Sequence, residues 1–166
     1  LWHWGRNQFG QLGDGTTINK NVPTRIGDDN DWAMVDASLY NTIALKNDGS
    51  LWCWGNNNYG QIGDGNQGEN LFNPVPTRIG TATDWVAIAI TYNRAYALKS
   101  NGRLWGWGYG QYLGNGDSID HYVPHQIGTD NNWVAVTTSS MDNLALKSNN
   151  TLWGWGENEA GGLGNG

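Results

Sequence analysis

The sequence predicts an all-β fold of short antiparallel strands grouped into repeated four-stranded units. Three observations carry this expectation. A Leu-Trp-x-Trp-Gly segment returns at positions 1, 51, 104 and 152. The apolar runs between these segments are short and alternate with period two. The chain also holds 25 Gly and 11 Trp among 166 residues, with only 14% charged residues. Gly in that excess, without a Gly-X-Y period, marks a turn-dense chain.

The repeat has further landmarks. Trp32, Trp85 and Trp133 each open a W-x-x-V or W-x-x-I run, and Ala-Leu-Lys recurs at Lys46, Lys99 and Lys147. Val22-Pro23, Val75-Pro76 and Val123-Pro124 each lead to Ile-Gly, and every Trp falls on a landmark. The stretches from Trp32 to Gly55, Trp85 to Gly108 and Trp133 to Gly156 have one common length, whereas those joining them differ. One half of the unit is thus a fixed piece and the other carries variable loops. Units begin at each Leu-Trp, giving approximately 1–50, 51–103, 104–151 and a partial 152–166 in one array.

Four strands follow per unit. Val86, Ile88 and Ile90 alternate with Ala87 and Ala89, and these small residues suit an innermost strand crowded near a common axis. Ile43-Ala44-Leu45 and its copies form a second strand, which turns back through Asp48-Gly49, Asn101-Gly102 and Asn149-Asn150. Two-residue loops of this kind predict type I′ hairpins. The third strand is Leu-Trp-x-Trp, with both Trp on one face, so they dominate the contacts between neighbouring units. The fourth opens with Val-Pro, and a Pro that removes a ladder donor places this strand at an outer edge. Four short strands in about fifty residues predict β-propeller blades, about three plus the start of a fourth.

Asn47-Asp-Gly-Ser-Leu-Trp-Cys-Trp-Gly55, then Asn57 and Gly60-Gln-Ile-Gly-Asp-Gly65, resembles the regulator-of-chromosome-condensation repeat, especially its bacterial form; Phe9-Gly-Gln-Leu-Gly-Asp-Gly-Thr16 matches still better. The resemblance covers essentially the whole chain. Two departures stand out. The family's Gly before the Ala-Leu strand is Ser38, Thr91 and Ser139 here, and its His is Asn41, Arg94 and Asp142. The third unit also shortens the segment after Trp-Gly, to Tyr109-Gly-Gln-Tyr112 before Leu113-Gly114. The resemblance implies a ring of seven blades, which this number of units does not close. Both ends fall inside the same motif, so the chain reads as a segment of a longer protein, with self-association to complete a ring as the other outcome.

Charge and composition narrow the function. The net charge is −6, from nine Lys and Arg against fifteen Asp and Glu. An acidic chain without a basic run argues against nucleic acid as partner. Cys53 is the single cysteine, which excludes an internal disulfide or a thiolate metal cage. No apolar stretch approaches the ~20 residues of a membrane-spanning helix, and no signal-peptide pattern is present. The Trp-, Asn- and Gly-rich, Lys-poor style resembles bacterial surface repeats, so an extracellular or cell-surface setting is favoured over the cytoplasm.

No catalytic constellation emerges, and no cofactor or metal is expected. His3, His121 and His125 lack acidic partners at recurring spacing, and His3 occupies a slot that tolerates any residue. Gly106-Trp-Gly-Tyr-Gly110 lacks the following helix of a phosphate loop. Asp28-Asp-Asn-Asp31 is dense in oxygen, yet the equivalent loops lose most of its carboxylates, so a solvated loop is expected rather than a calcium site. The expected binding surface is the tip between first and second strands: Leu39, Tyr40, Asn41; Tyr92, Asn93, Arg94; and Ser140, Met141, Asp142. On a propeller these tips gather around the axis, and their mix of Tyr, Arg, Met and Asn suits a protein interface. The expected function is a non-catalytic binding or scaffold module for a protein partner. The alternative is a carbohydrate-binding or glycan-active propeller, disfavoured because the Trp are committed to packing. Light sensing through the Trp cluster is disfavoured on the same ground.

Overall fold

The computed structural model describes residues 1–158 and 161–164. Among these residues thirteen strands form four antiparallel sheets. β1 (Trp2–Gly5) and β2 (Lys20–Arg25) make a two-stranded sheet, the outer half of a blade. Two complete blades follow, in which strand order is chain order. The first holds β3 (Trp32–Ala37), β4 (Asn41–Lys46), β5 (Leu51–Asn56) and β6 (Phe72–Arg78). The second holds β7 (Trp85–Ile90), β8 (Arg94–Lys99), β9 (Leu104–Gly108) and β10 (His121–Gln126). β11 (Trp133–Thr138), β12 (Asp142–Lys147) and β13 (Leu152–Gly156) supply three strands of the next. The fold is therefore a partial propeller. The three later sheets each start at the W-x-x-V strand, so the Leu-Trp boundary of the sequence repeat falls in mid-blade.

Alternation along each strand assigns side chains to opposite seams. In the second complete blade, Ala95, Ala97 and Trp107 join Ile43, Leu45 and Ile62 of the preceding blade in one core. Tyr96, Leu98 and Leu104 face the other way, against Trp133, Val136 and Trp155. The hydrophobic core thus lies between blades. β7 packs against both β3 and β11, which makes the Ala-rich strand the innermost one. The Val-Pro strands lie at the outer edge, and β6 bulges between Asn73 and Thr77, where Pro74 and Pro76 have no amide to donate.

The hairpins differ from the sequence expectation. Lys46 and Ser50 pair across a three-residue loop, with the Gly49 N–H donating to the Lys46 carbonyl at 2.9 Å. Only the last loop position takes positive φ, 76° at Gly49, 74° at Gly102 and 66° at Asn150. This is a type I turn closed by a left-handed residue, not type I′. Its cause is local: the Asp48, Asn101 and Asn149 side chains each accept the amide two residues on, which holds them in right-handed space.

Candidate functional site

The second Trp of the Leu-Trp-x-Trp strands β5, β9 and β13 is a seam anchor. Trp54 and Trp107 are fully buried, each worth about 4–6 kcal/mol gross in apolar burial. Their indole N–H groups donate across the seam to the Gln11 and Gln61 carbonyls, both at 3.0 Å. The Gly-Gln-x-Gly loop is thus the socket for the next blade's Trp. The Gln side chains reach further: Gln11 Nε2 donates to the Leu39 carbonyl at 3.1 Å and Gln61 Nε2 to that of Tyr92 at 3.0 Å. In the third unit, whose loop is shortened, Arg94 takes over this tie. Its guanidinium donates to the carbonyls of Gln111 at 2.7 Å and Ser140 at 2.9 Å.

The first Trp builds a clasp at the opposite end of the blades. Lys46 Nζ lies 4.9 Å from the ring centroids of both Trp32 and Trp52; Lys99 and Lys147 repeat this with Trp85 and Trp105, and Trp133 and Trp153. Each ammonium also meets acid, Asp29 for Lys46 at 2.6 Å, Asp84 for Lys99 at 2.9 Å and Asp130 for Lys147 at 2.6 Å. Burial disfavours charge on Lys46, but hydrogen bonds to Asp29 and Asp31 outweigh it and raise its pKa. The Asp29 and Asp31 carboxylates are therefore spent on a lysine, and Asp28 faces Arg25. Among the described residues no group of His, Cys, Asp and Glu has metal-binding placement.

The remaining reactive groups are also built into the packing. Burial pushes the Cys53 thiol far up, and its S–H points at the Gln61 carbonyl. Burial lowers His3, partly offset by its hydrogen bond to the Leu12 carbonyl at 3.3 Å. His121 stacks on His125 with centroids 4.4 Å apart and lies 3.5 Å from Asp117.

The three tips converge. A cleft of about 320 Å³ lies at the end of the innermost strands, lined by Ser38 and Leu39, by Ile90, Thr91 and Tyr92, and by Thr138, Ser139 and Ser140. The Ser38 hydroxyl donates to the Thr91 carbonyl at 2.9 Å, and Asp36 accepts the Ile90 N–H at 2.9 Å, which ties two strand ends together. The Trp-Gly glycines fix the tips from behind. A Cβ at Gly55 would fall 2.2 Å from the Tyr40 carbonyl oxygen, and one at Gly108 2.3 Å from that of Asn93.

The nine sequence-selected residues divide within each tip. Leu39, Ser140 and Met141 are exposed, and Tyr40, Tyr92 and Asp142 are half-buried. Asn41, Asn93 and Arg94 are buried, against the expectation of an exposed rim. The reason is hydrogen bonding: Asn41 donates to the Asn56 carbonyl at 2.6 Å, Asn93 accepts from Thr91, and Arg94 bridges blades. Phe9, Tyr59 and Tyr109 join this end of the molecule although sequence reasoning passed over them. Phe9 packs edge-on against Tyr40 at 4.9 Å, and Tyr59 against Tyr109 at 5.1 Å. Their signal was an aromatic before Gly-Gln in three units.

Comparison with known proteins agrees with this architecture. Two models of the regulator of chromosome condensation (RCC1) repeat match, one over residues 1–45 and 101–146 and the other over residues 35–61 and 85–112. Among solved structures, human WBSCR16 is similar at 20% identity and a TM-score of 0.79, covering 93% of this chain and 42% of that one. Prp20p from Saccharomyces cerevisiae is similar at 19% identity and a TM-score of 0.83, covering 98% of this chain and 42% of that one. The same yeast protein bound to Kap60 gives 20% and 0.83, over 99% and 41%. The chain therefore spans about two-fifths of these proteins. With its blades, seam sockets and repeat matches in agreement, this chain belongs to the regulator of chromosome condensation (RCC1) repeat family.

Proposed function

We propose that this chain is a non-catalytic protein-binding module whose partner sits on the end of the blades where the tips converge. The observation that carries the reading is the cleft shared by three equivalent tips, with Leu39 and Met141 exposed at 59% and 41% beside it. Exposed apolar side chains on a backbone held by seam hydrogen bonds bind at low ordering cost. The similar Prp20p has described binding properties toward Gsp1p and histones and a structure bound to Kap60, which favours a protein partner here too. A glycan reading finds less support, because the Trp of the complete blades are buried or half-buried against neighbours. The test is affinity capture with a triple variant, Leu39→Ser, Tyr92→Ser and Met141→Ser, beside Arg103→Ser at the opposite end. Loss of the captured proteins in the triple variant alone, with its melting transition kept, supports the reading. Equal capture by all three proteins overturns it.

Pairing between copies is a second reading with its own observation. Trp4 is 57% exposed, whereas the equivalent Trp54 and Trp107 are fully buried. The loop around Leu163, whose N–H donates to Asn158 Oδ1 as Leu12 does to Asn7, repeats the socket that accepts such a Trp. Sedimentation against concentration tests this: Trp4→Ser should yield monomer where the parent chain pairs. A monomeric parent chain at all concentrations removes it.

A further inference from the structure

We infer that the tip end takes a Lys- and Arg-rich segment of a protein partner. This rests on the binding surface proposed above and gives it a chemistry. Two independent features of that end point to cations.

The first is segregation of charge between the two ends of the blades. Antiparallel order places the first-to-second and third-to-fourth connections at the tip end, and the other connections opposite. Opposite the tips, acids are matched by bases: Lys46 with Asp29 and Asp31, Lys99 with Asp84, Lys147 with Asp130 and Arg25 with Asp28. At the tip end the loops carry Asp14, Asp64, Glu69, Asp117, Asp120 and Glu157, and among described residues their one base is Arg6. Lys20 offsets Asp14 at 3.0 Å, and His121 stands by Asp117. Arg94 is buried with its guanidinium on carbonyl oxygens. Most of the net charge of −6 therefore gathers at one end. A one-signed surface steers an oppositely charged partner and repels its own kind.

The second feature is aromatic. Tyr40 and Tyr59 stand at this end, Tyr59 with 39% exposure, backed by the Phe9 and Tyr109 rings. The Arg6 guanidinium already lies over the Tyr40 ring, 5.9 Å from its centroid. Tyr faces beside carboxylates attract guanidinium and ammonium groups through both quadrupole and charge. The hydroxyls of Ser139 and Ser140 in the cleft add acceptors for such groups.

The experiment titrates this chain into three labelled synthetic peptides of one length, Arg/Lys-Gly, Glu-Gly and Ser-Gly, and reads fluorescence anisotropy at low and at near-physiological salt. Saturable binding of the Arg/Lys peptide alone, weakened by salt, is the expected result. The Glu69→Gln, Asp117→Asn double variant should weaken it by about three- to tenfold, while Asp28→Asn at the opposite end leaves it unchanged. Absence of binding, or an equal loss with Asp28→Asn, overturns the inference. If the captured partners still depend on Leu39, Tyr92 and Met141 while the peptide fails to bind, the binding surface stands and its cationic partner falls. If capture and peptide binding both ignore the tips, both fall.

Discussion

The indole N–H of Trp107 donates to the Gln61 carbonyl of the preceding blade at 3.0 Å, and Gly63, two residues further along that loop, lies against the same ring. A Cβ at Gly63 would sit 2.6 Å from Trp107 Nε1, at a backbone φ of 86° that disfavours any side chain. One relationship thus joins local backbone geometry, a buried hydrogen bond and blade-to-blade packing. It recurs at Gly13 with Trp54, and at Gly114 with Trp155, where the acceptor moves to the Leu113 carbonyl.

Gly63→Ala should therefore cost about 3 kcal/mol or more, from steric overlap and strained φ together. Trp107→Phe should cost about 3 kcal/mol, through lost packing and a buried carbonyl left with only the weak Cys53 thiol donor. Urea unfolding of each variant checks both values.

Arg103→Ser should stabilise the chain. Trp52 donates its indole N–H to Ser50 Oγ at 2.9 Å and Trp153 donates to Thr151 Oγ1 at 3.1 Å. Arg103 holds the equivalent position before Trp105, whose buried indole nitrogen has no such partner. A serine hydroxyl there should add about 1 kcal/mol, seen as a higher urea midpoint, with Arg103→Ala as the control that adds none.

The Lys99 clasp gives a third expectation. Its ammonium lies 4.7 Å from the Trp85 ring centroid, 5.2 Å from that of Trp105 and 2.9 Å from Asp84. Lys99→Met keeps the apolar stem and removes the charge, so a loss of about 1 kcal/mol reports the cation–π and ionic part. A double-mutant cycle with Asp84→Asn separates the two.

Alkaline pH should unfold the protein through Tyr96. Burial raises its hydroxyl from 10.0 to about 12, despite the opposing field of Arg94 and a hydrogen bond with Trp155. The unfolded chain ionises this group above its ordinary value, while the folded chain keeps the proton until about 12. Fewer protons are bound by the unfolded state in that window, so stability falls as pH rises from 10.0 to about 12. Cys53 acts in the same direction from a lower onset, so the comparison uses a Cys53→Ala background. There Tyr96→Phe should flatten the decline in denaturant midpoint across this window.

Strand positions, edge placement and innermost placement were legible because each rests on local pattern. Alternation put Ile43 and Ala44 on opposite faces, and Pro76 kept β6 at the edge. The turn type was not legible from Asp-Gly alone, since Asp48 accepts the Ser50 amide and shifts the loop to three residues. The candidate site was legible only in part. Convergence of the tips followed from the repeat, whereas the inward turn of Asn41 and Arg94 depends on partners in other strands and loops.

By itself the sequence determined a repeated four-stranded blade with Trp at fixed positions, because period-two patterning and Gly turns are decided within a few residues. Tertiary structure alone decided what those Trp touch, which loop receives each indole, and that Arg94 replaces a Gln side chain as the tie between blades. It also decided that acids opposite the tips are paired with lysines and Arg25, while those at the tip end are largely unmatched. The physical reason is distance along the chain: Trp107 meets Gln61, and Arg94 meets Ser140, across separations that no local propensity reaches.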